Sequence, residues 1–369
     1  MVTNSGIEGL IKPEVISLGA YVPSKSPEVL MQEIGIPQEE IIKLDGNENL
    51  FGCSPRVNRA LANYPYFNIY PDAGQEELKK LLAGYTGASP DSIVASNGSD
   101  ELIGYVVRLF IGRGDEVINC VPTFDIFRHR TQLCGGTLVE LIRDENYAID
   151  VKAVKAAITD KTKLIVLATP NNPTGTITPQ ADILELASTG LPFLVDEAYV
   201  EFSGETVTGY VRQYPNMMVL RTFSKWAGLA GMRIGYGIFN PRIVSYIMTV
   251  KEPYNVSAAA LVAVRESFKD LDYLKNNVKT IVKERERLYT ELGKLPFLKP
   301  FPSRANFIYC SVLEGSAREL QKKLERKGIL IRYFNIPLLQ NSLRIGVGKP
   351  EHTDILVEAL KKAQEETGG

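Results

Sequence analysis

The sequence predicts an α/β fold, a mostly parallel sheet covered by helices, with a smaller α+β C-terminal domain. Three observations predict it. Between residues 92 and 220, short apolar runs alternate with amphipathic stretches of helical period, the pattern of a parallel sheet buried on both faces. After Pro253 the texture changes to one long charged helix and then to short strands. A chain of 369 residues, 44% apolar and 23% charged, has room for a sizeable core and about two domains. The division read from these changes is an N-terminal arm over 1–45, a large ligand-binding domain over 46–255 and a small C-terminal domain over 256–369.

The arm contains Pro13, Pro23, Pro27 and Pro37, shows little periodicity and reads as extended chain with one short helix. From about Gly74 the alternation begins. Gln75 to Ala83 is amphipathic and Ser92 to Ser96 is a short apolar strand. Leu102, Val106, Leu109 and Phe110 mark one helix face, with a strand next from Val117 to Val121. Then come a helix through Phe124 to Leu133, a strand from Thr137 to Leu141 and a helix through Val151 to Ile158. Strand Leu164 to Thr169, helix Ala181 to Ala187 and strands Phe193 to Val195 and Met218 to Leu220 complete the series, with a further buried strand from Met232 to Ile238. In the last part, residues 271–294 form a helix with Leu274, Val278, Ile281, Leu288 and Leu292 on one face. Strands Phe307 to Ser311, Leu330 to Tyr333 and Leu343 to Val347 then alternate with helices over 316–327 and 353–366.

Composition narrows the function. A net charge of −1 leaves no basic footprint for nucleic acid and no polybasic patch for a membrane, so a small-molecule ligand is expected. Cys53, Cys120, Cys134 and Cys310 form no CxxC pair, which argues against a zinc site and a disulfide framework. With only His129 and His352, no histidine-rich metal site is expected. The N-terminus lacks a basic start leading into an apolar core, so the expectation is an unprocessed, soluble, cytoplasmic protein.

In open α/β sheets ligands gather beyond the carboxyl ends of the strands, so the residues just past each strand are the candidates. Residues 97–101, NGSDE, open a helix and can present free amides to an anion, although Ser99 as a plain N-cap explains them equally well. Pro122-Thr123-Phe124 offers a ring that stacks on a ligand or enters the core. In PNNPTG, residues 170–175, two asparagines can hydrogen-bond a ring hydroxyl from within a turn. Asp196 ends a buried apolar strand and needs a partner, either a protein arginine or a protonated pyridine nitrogen. Tyr199, three residues on, can donate to a ring oxygen.

The stretch LRTFSKWAGLAGMRIGYG, residues 220–237, ties these together. Lysine is mostly exposed, yet Lys225 stands among Phe223, Trp226, Leu229 and Ala230, where desolvation disfavours the ammonium and leaves an amine able to condense with a carbonyl. Thr222, Ser224 and Arg233 can hold an anion beside it. An aldehyde and a phosphate on one small molecule describe pyridoxal 5'-phosphate.

The ordered series NGSDE, PTF, PNNPTG, DEAY, TFSK and GMRIGY resembles the fold-type I pyridoxal-phosphate-dependent aminotransferases over nearly the whole chain. That resemblance implies that Lys225 forms the imine with the cofactor, Asp196 pairs with its ring nitrogen, Asn172 and Tyr199 bind its ring oxygen and Phe124 stacks on the ring. It also implies that Gly98, Ser99, Asp100, Thr222, Ser224 and Arg233 surround the phosphate. Within that group the chain is most similar to the histidinol-phosphate aminotransferase family, through YVPSKSP with Tyr21, KLDGNEN with Asn47 and Asn49, YPD with Tyr70, EPYNVS, and the IR and LRIGVG segments. The similarity implies a homodimer with shared sites, in which Tyr70 reaches the neighbouring subunit's cofactor phosphate, and Tyr21, Asn47, Asn172, Arg332 and Arg344 as substrate contacts. Arg332 and Arg344 suit that role because a guanidinium facing inward needs an anion and fits carboxylate or phosphate equally well. Phe124 departs from the tyrosine often found in the family, which keeps the stacking ring and removes a hydroxyl near the substrate. The expected reaction is amino transfer between histidinol phosphate and 2-oxoglutarate, within histidine biosynthesis. An aromatic amino-acid aminotransferase and a threonine-phosphate decarboxylase of the same fold stand as alternatives. A non-catalytic pyridoxal-phosphate-sensing regulator is disfavoured, because the arm carries no basic helix for a DNA-binding module.

Overall fold

The computed structural model describes residues 6–18 and 26–368. After the helices Pro13–Ile16 and Pro27–Ile34, the arm enters the body of the protein as a two-residue strand, β1 (Ile42–Lys43). A seven-stranded sheet comes next, made of β2 (Ile93–Ser96), β3 (Glu116–Val121), β4 (Thr137–Ile142), β5 (Thr162–Ala168), β6 (Phe193–Asp196), β7 (Met217–Thr222) and β8 (Gly235–Ile238) in the order β2-β8-β7-β6-β5-β3-β4. Strand β8 runs antiparallel to both of its neighbours, and every other neighbouring pair is parallel. The carboxyl ends of β2, β3, β5, β6 and β7 therefore lie along one edge.

Residues alternate across this sheet and feed two separate cores, as the pleat requires. Leu164, Val166 and Ala168 of β5, Leu194 of β6 and Met218 of β7 pack with Leu102, Phe127 and Ile247 from the helices Ser99–Phe110, Ile126–Leu133 and Pro241–Val250. Ile165, Leu167, Val195 and Val219 face the other way, onto Leu78 and Leu82 of Glu76–Thr86, Ile183 of Gln180–Ala187 and Ala260 of Ala258–Phe268. Burial on both faces explains why the strands read as continuous apolar runs.

The C-terminal part holds a second sheet of β9 (Leu298–Pro300), β10 (Phe307–Val312), β12 (Arg332–Phe334) and β13 (Ser342–Gly346), antiparallel throughout in the order β12-β13-β10-β9. The helix Leu271–Gly293 spans between the two parts and buries Leu274, Ile281, Leu288 and Leu292. Strand β11 (Ile329–Leu330) lies outside that sheet and pairs in parallel with β1, so the end of the arm is stitched to the C-terminal part. Among the described residues no helix is long and apolar enough to cross a membrane.

Four local expectations need correction. The arm, read with one short helix, holds two, Pro13–Ile16 and Pro27–Ile34, each opening on a proline at its first position. The single strand expected over Leu330 to Tyr333 is two: the chain turns at buried Ile331, placing Ile329–Leu330 against β1 and half-buried Arg332–Phe334 at the edge of the C-terminal sheet. The strand expected from Met232 starts at Gly235, because Ala230–Met232 forms a 3-10 turn and Arg233 is left-handed with φ 49°. The helix expected from Phe124 starts at Ile126, which leaves Phe124 in the loop. Among the helices of eight residues or more, three have no counterpart among the periodic stretches of the sequence, Pro55–Ala62, Pro241–Val250 and Ala258–Phe268. Their caps are nonetheless written in the chain: the side chains of Ser54, Asn240 and Ser257 accept from the backbone N–H groups of Arg56, Arg242 and Ala260.

Candidate active site

A cavity of about 830 Å³ opens at the carboxyl ends of β3, β5, β6 and β7, with β12 and β13 forming its far wall. Lys225 stands three residues beyond β7, in a loop whose Phe223, Trp226, Ala227 and Leu229 are buried. Its Nζ donates to the Gly46 carbonyl at 3.0 Å. Burial lowers its pKa to about 8, against the pull of the Glu48 carboxylate, which favours the ammonium. A lysine so placed is an available nucleophile near neutral pH.

Asp196, the last residue of β6, also lines the cavity. One oxygen accepts the Ala198 N–H at 3.0 Å, and among the described residues no cation forms an ion pair with it. Burial first, and the Asp100 carboxylate second, push its pKa up to about 7. Among the described residues, then, no arginine supplies the partner that a buried aspartate demands. Tyr199 lies just before the short helix Val200–Ser203, and its phenol accepts from Asn47 Nδ2 at 3.0 Å. Burial raises that phenol to about 12, so it remains a donor across the physiological range.

The two asparagines of PNNPTG divide the work. Asn171 is fully buried, donating to the Pro122 carbonyl and accepting from Thr123 Oγ1 at 2.6 Å, and so holds two strand-end loops together. Asn172 lines the cavity, and its Oδ1 accepts from Arg344 at 2.6 Å. Phe124, left in its loop, lines the same space and meets Phe127 edge-on at 6.3 Å.

At the other end of the cavity, Gly98 caps the helix Ser99–Phe110 with no side-chain hydrogen bond, so Ser99 is not the N-cap; the Glu101 N–H turns back to the Gly98 carbonyl at 3.3 Å, and among the described residues the Ser99 and Asp100 amides make no backbone hydrogen bond and can face an anion. Thr222, Ser224 and Arg233 converge there, with the Ser224 N–H on Thr222 Oγ1 at 3.1 Å and the Arg233 guanidinium 3.5 Å from Asp100. Gly98 has φ 82°, and a Cβ on it would stand 2.5 Å from Arg233 Nη2, so glycine is what lets the guanidinium reach this end. Free amides, two hydroxyls and an arginine fit a phosphate dianion. A ring with a protonatable nitrogen fits Asp196, and an aldehyde fits Lys225, so the residues present match pyridoxal phosphate.

On the far wall, Arg332 and Arg344 are direct partners across β12 and β13, which puts both side chains on one face. Both line the cavity, and the Arg344 guanidinium lies over Phe307 and Phe334 at 5.4 and 5.8 Å. Asn47 has φ 55° and its carbonyl accepts from Asn306 Nδ2 at 3.0 Å, while Asn49 donates to the Trp226 carbonyl at 2.9 Å and braces the lysine loop from behind. Tyr70 does not join the cavity of its own chain: it is 77% exposed and stacks on Tyr254 at 4.4 Å. Tyr21 lies outside the described residues.

The sequence profile described as aminotransferase class I and II matches residues 39–360. The chain belongs to that family. It is 49% identical over 350 residues to the histidinol-phosphate aminotransferase of Dehalococcoides mccartyi, covering 95% of this chain and 96% of the relative. It is 39% identical over 358 residues to histidinol-phosphate aminotransferase 1, chloroplastic, of Arabidopsis thaliana, covering 96% and 86%. The crystal structure of the histidinol-phosphate aminotransferase of Sinorhizobium meliloti in complex with pyridoxal-5'-phosphate superposes with a TM-score of 0.88 at 28% identity, covering 97% of this chain and 98% of that one.

Sequence reasoning about this aminotransferase passed over Lys43, Asp45, Gly46 and Glu48, three of which line the cavity. The available signal was a glycine set between acidic residues in KLDGNEN, directly ahead of the first helix of the large sheet domain.

The site also predicts a pH dependence of stability. In the unfolded chain Asp196 has a pKa near ~3.9, so between about pH 4 and 7 the folded, cofactor-free protein holds a proton that the unfolded chain releases. Stability therefore falls as pH rises through that window. Glu201, raised by burial to about 7, adds to the same slope. Lys225 acts in the opposite sense, restoring stability between about pH 8 and 10.4 as the unfolded chain loses the proton that the folded one has already shed. Urea unfolding of Asp196→Asn protein should show a shallower fall between about pH 4 and 7 than the parent. An identical slope would mean that Asp196 is solvated.

Proposed function

We propose that the protein is a histidinol-phosphate transaminase, converting L-histidinol phosphate and 2-oxoglutarate to imidazole acetol phosphate and L-glutamate on pyridoxal 5'-phosphate, in histidine biosynthesis. The observation that carries this reading is the convergence on one cavity of an amine depressed by burial, an aspartate that no described arginine pairs with, an anion cradle and two adjacent arginines. Identity of 49% across almost the whole length of a relative named for the reaction supports it.

In this reading the cofactor's phosphate is held by Gly98, Ser99, Asp100, Thr222, Ser224 and Arg233, mainly through backbone amides, hydroxyls and the guanidinium. Asp196 keeps the ring nitrogen protonated, Asn172 and Tyr199 hold the ring oxygen and Phe124 covers one ring face. When bound, the cofactor supplies an aldehyde that captures an amino group and a ring that accepts the electron pair left by the departing α-proton. The chain supplies the rest. Lys225 would take the proton from the substrate α-carbon and return it at the former aldehyde carbon, on the other side of the transferred nitrogen. Tyr199 and Asn47 keep a hydrogen-bonded pair at the ring oxygen. Arg332 and Arg344 bind the substrate anion; histidinol phosphate has no α-carboxylate, so its phosphate takes the place that a carboxylate of glutamate occupies in the other half-reaction. Tyr21 and Asn47 complete the substrate contacts.

The site is shared in a cytoplasmic homodimer, with Tyr70 reaching the partner's cofactor phosphate. Its exposure next to exposed Tyr66, Phe67 and Ile69 supports this, because an apolar strip of that kind is commonly a surface awaiting a second chain. The catalytic body divides into a large domain over 46–255 and a small one over 256–369, with the cavity where they meet.

The test is to mix the holoprotein with histidinol phosphate alone and follow the cofactor's absorbance. Conversion to the amine form, reversed by 2-oxoglutarate, is expected. Conversion by phenylalanine but not by histidinol phosphate would favour the aromatic aminotransferase. Release of carbon dioxide from threonine phosphate without a keto acid would favour the decarboxylase.

A further inference from the structure

The loop from Lys43 to Glu48 joins β1 to the cavity, and the Glu48 carboxylate lines it without a role in the function proposed above. Lys43 Nζ grips Glu48 Oε1 at 2.8 Å and Asp45 Oδ1 at 2.9 Å. So clamped, the Glu48 side chain folds back over the α-carbon of Gly46, where a Cβ would overlap its carboxylate. Its second oxygen, Oε2, is buried and has no hydrogen-bond partner among the described residues. A buried carboxylate oxygen left without a donor costs free energy, so a compensating charge is expected close by. Gly46 is the residue whose carbonyl receives the Lys225 amine.

We propose that Glu48 is a positioning residue for Lys225: fixed by Lys43 and seated on Gly46, it locks the carbonyl that holds the reacting amine and presents a negative charge to it. The other charged and titratable groups around Lys225 come from separate elements. Asp196 ends β6, Asp100 opens the helix Ser99–Phe110, Tyr199 lies beyond β6, Arg344 is on β13 and Arg233 lies just past the 3-10 turn. Arg344 and Arg233 disfavour the ammonium, and among the carboxylates Glu48 opposes them most strongly. Burial alone would depress the amine further. Glu48 thus holds Lys225 between two requirements, enough neutral amine to attack and enough proton affinity to take the α-proton. The loop also explains why position 46 is glycine, since a side chain there would expel the carboxylate from its seat.

The inference rests on Lys225 being the reacting amine, and its test needs neither substrate nor cofactor. Cofactor-free protein is labelled briefly with trace acetic anhydride across a pH series, and the modification of Lys225 is read by mass spectrometry. Glu48→Gln removes the negative charge, so the ammonium is less favoured and the labelling midpoint should move to lower pH by about one unit, a tenfold gain in neutral amine. Glu48→Asp keeps the charge but draws it back by one methylene, and should move the midpoint the same way by about half as much. Midpoints within about 0.2 units of the parent in both folded variants overturn the proposal. Should Glu48→Gln fail to fold, Glu48→Asp decides alone by the same criterion. A failure here leaves the amino-transfer reading untouched, and a protein that ignores histidinol phosphate leaves this proposal standing.

Discussion

Lys225→Ala protein should bind pyridoxal phosphate and lose turnover by about 10⁴-fold. The two halves of that result have separate causes. In the proposed function binding rests on the amides and hydroxyls at the Ser99 end of the cavity, on Arg233 and on Asp196, none of which the substitution replaces. In the same reading turnover would rest on one amine that binds the aldehyde and carries a proton, and alanine can do neither. Absorbance and fluorescence of the bound cofactor measure the first half, and steady-state assay with histidinol phosphate and 2-oxoglutarate the second. Near-parental turnover with the cofactor bound would remove Lys225 from the reaction and leave its burial without a purpose. Loss of cofactor binding together with turnover would mean that the anion cradle is too weak to act alone.

Much of this site was legible because it sits on strand ends. Asp196, Asn172, Phe124 and Lys225 each come at or just past a run of apolar residues that can be recognised from period and composition, and the rule that ligands collect at carboxyl ends then places them together. Asn171 and Asn172 show where that reading stops. Adjacent and chemically identical, they face a fully buried brace and an open cavity, and only the path of the turn decides which is which. The antiparallel strand β8 was equally hidden, since its residues are as buried as those of the strands that run parallel to one another, and burial carries no direction.

The far wall was less legible for a different reason. Arg332 and Arg344 could be named as candidates, but their adjacency depends on the register between β12 and β13, and no pattern within either strand specifies a register with the other. Likewise, the Lys43–Glu48 loop is too short to show any period. Its geometry comes from the parallel pairing of β1 with β11, residues 42–43 with residues 329–330, and from the Arg344 contact to the Asp45 carbonyl. Both are contacts across nearly the whole length of the chain. What the sequence hid is therefore long-range pairing, and what it displayed is local chemistry at strand ends.

Behind Asp196 lies a second buried charge cluster, and it yields the largest expected effect on stability. Arg221 of β7 is 7% exposed and Glu197 1%. Arg221 Nε donates to Glu197 Oε2 at 3.0 Å and its Nη2 to Thr206 Oγ1 at 2.6 Å, while Glu197 also accepts the Val207 N–H at 2.7 Å. Glu201, half-buried with Tyr85 as a donor, is a second carboxylate near the same guanidinium, which draws its pKa down against the stronger lift of desolvation. Arg221→Leu strands the Glu197 charge in the interior and should cost about 3–5 kcal/mol in urea unfolding of the cofactor-free protein. Replacing Arg221 and Glu197 together by leucine removes both charges, and should recover most of that loss, because the desolvation penalty goes with the attraction. The double-mutant cycle measures their coupling. The damage should reach the cavity as well: Glu197 is bonded directly to Asp196 along the chain and its N–H donates to the Leu220 carbonyl at 2.9 Å, so a displaced Glu197 tilts the aspartate and weakens cofactor retention in parallel with stability. An Arg221→Leu protein within about 1 kcal/mol of the parent would show that water reaches the cluster and that the aspartate is held by its strand alone.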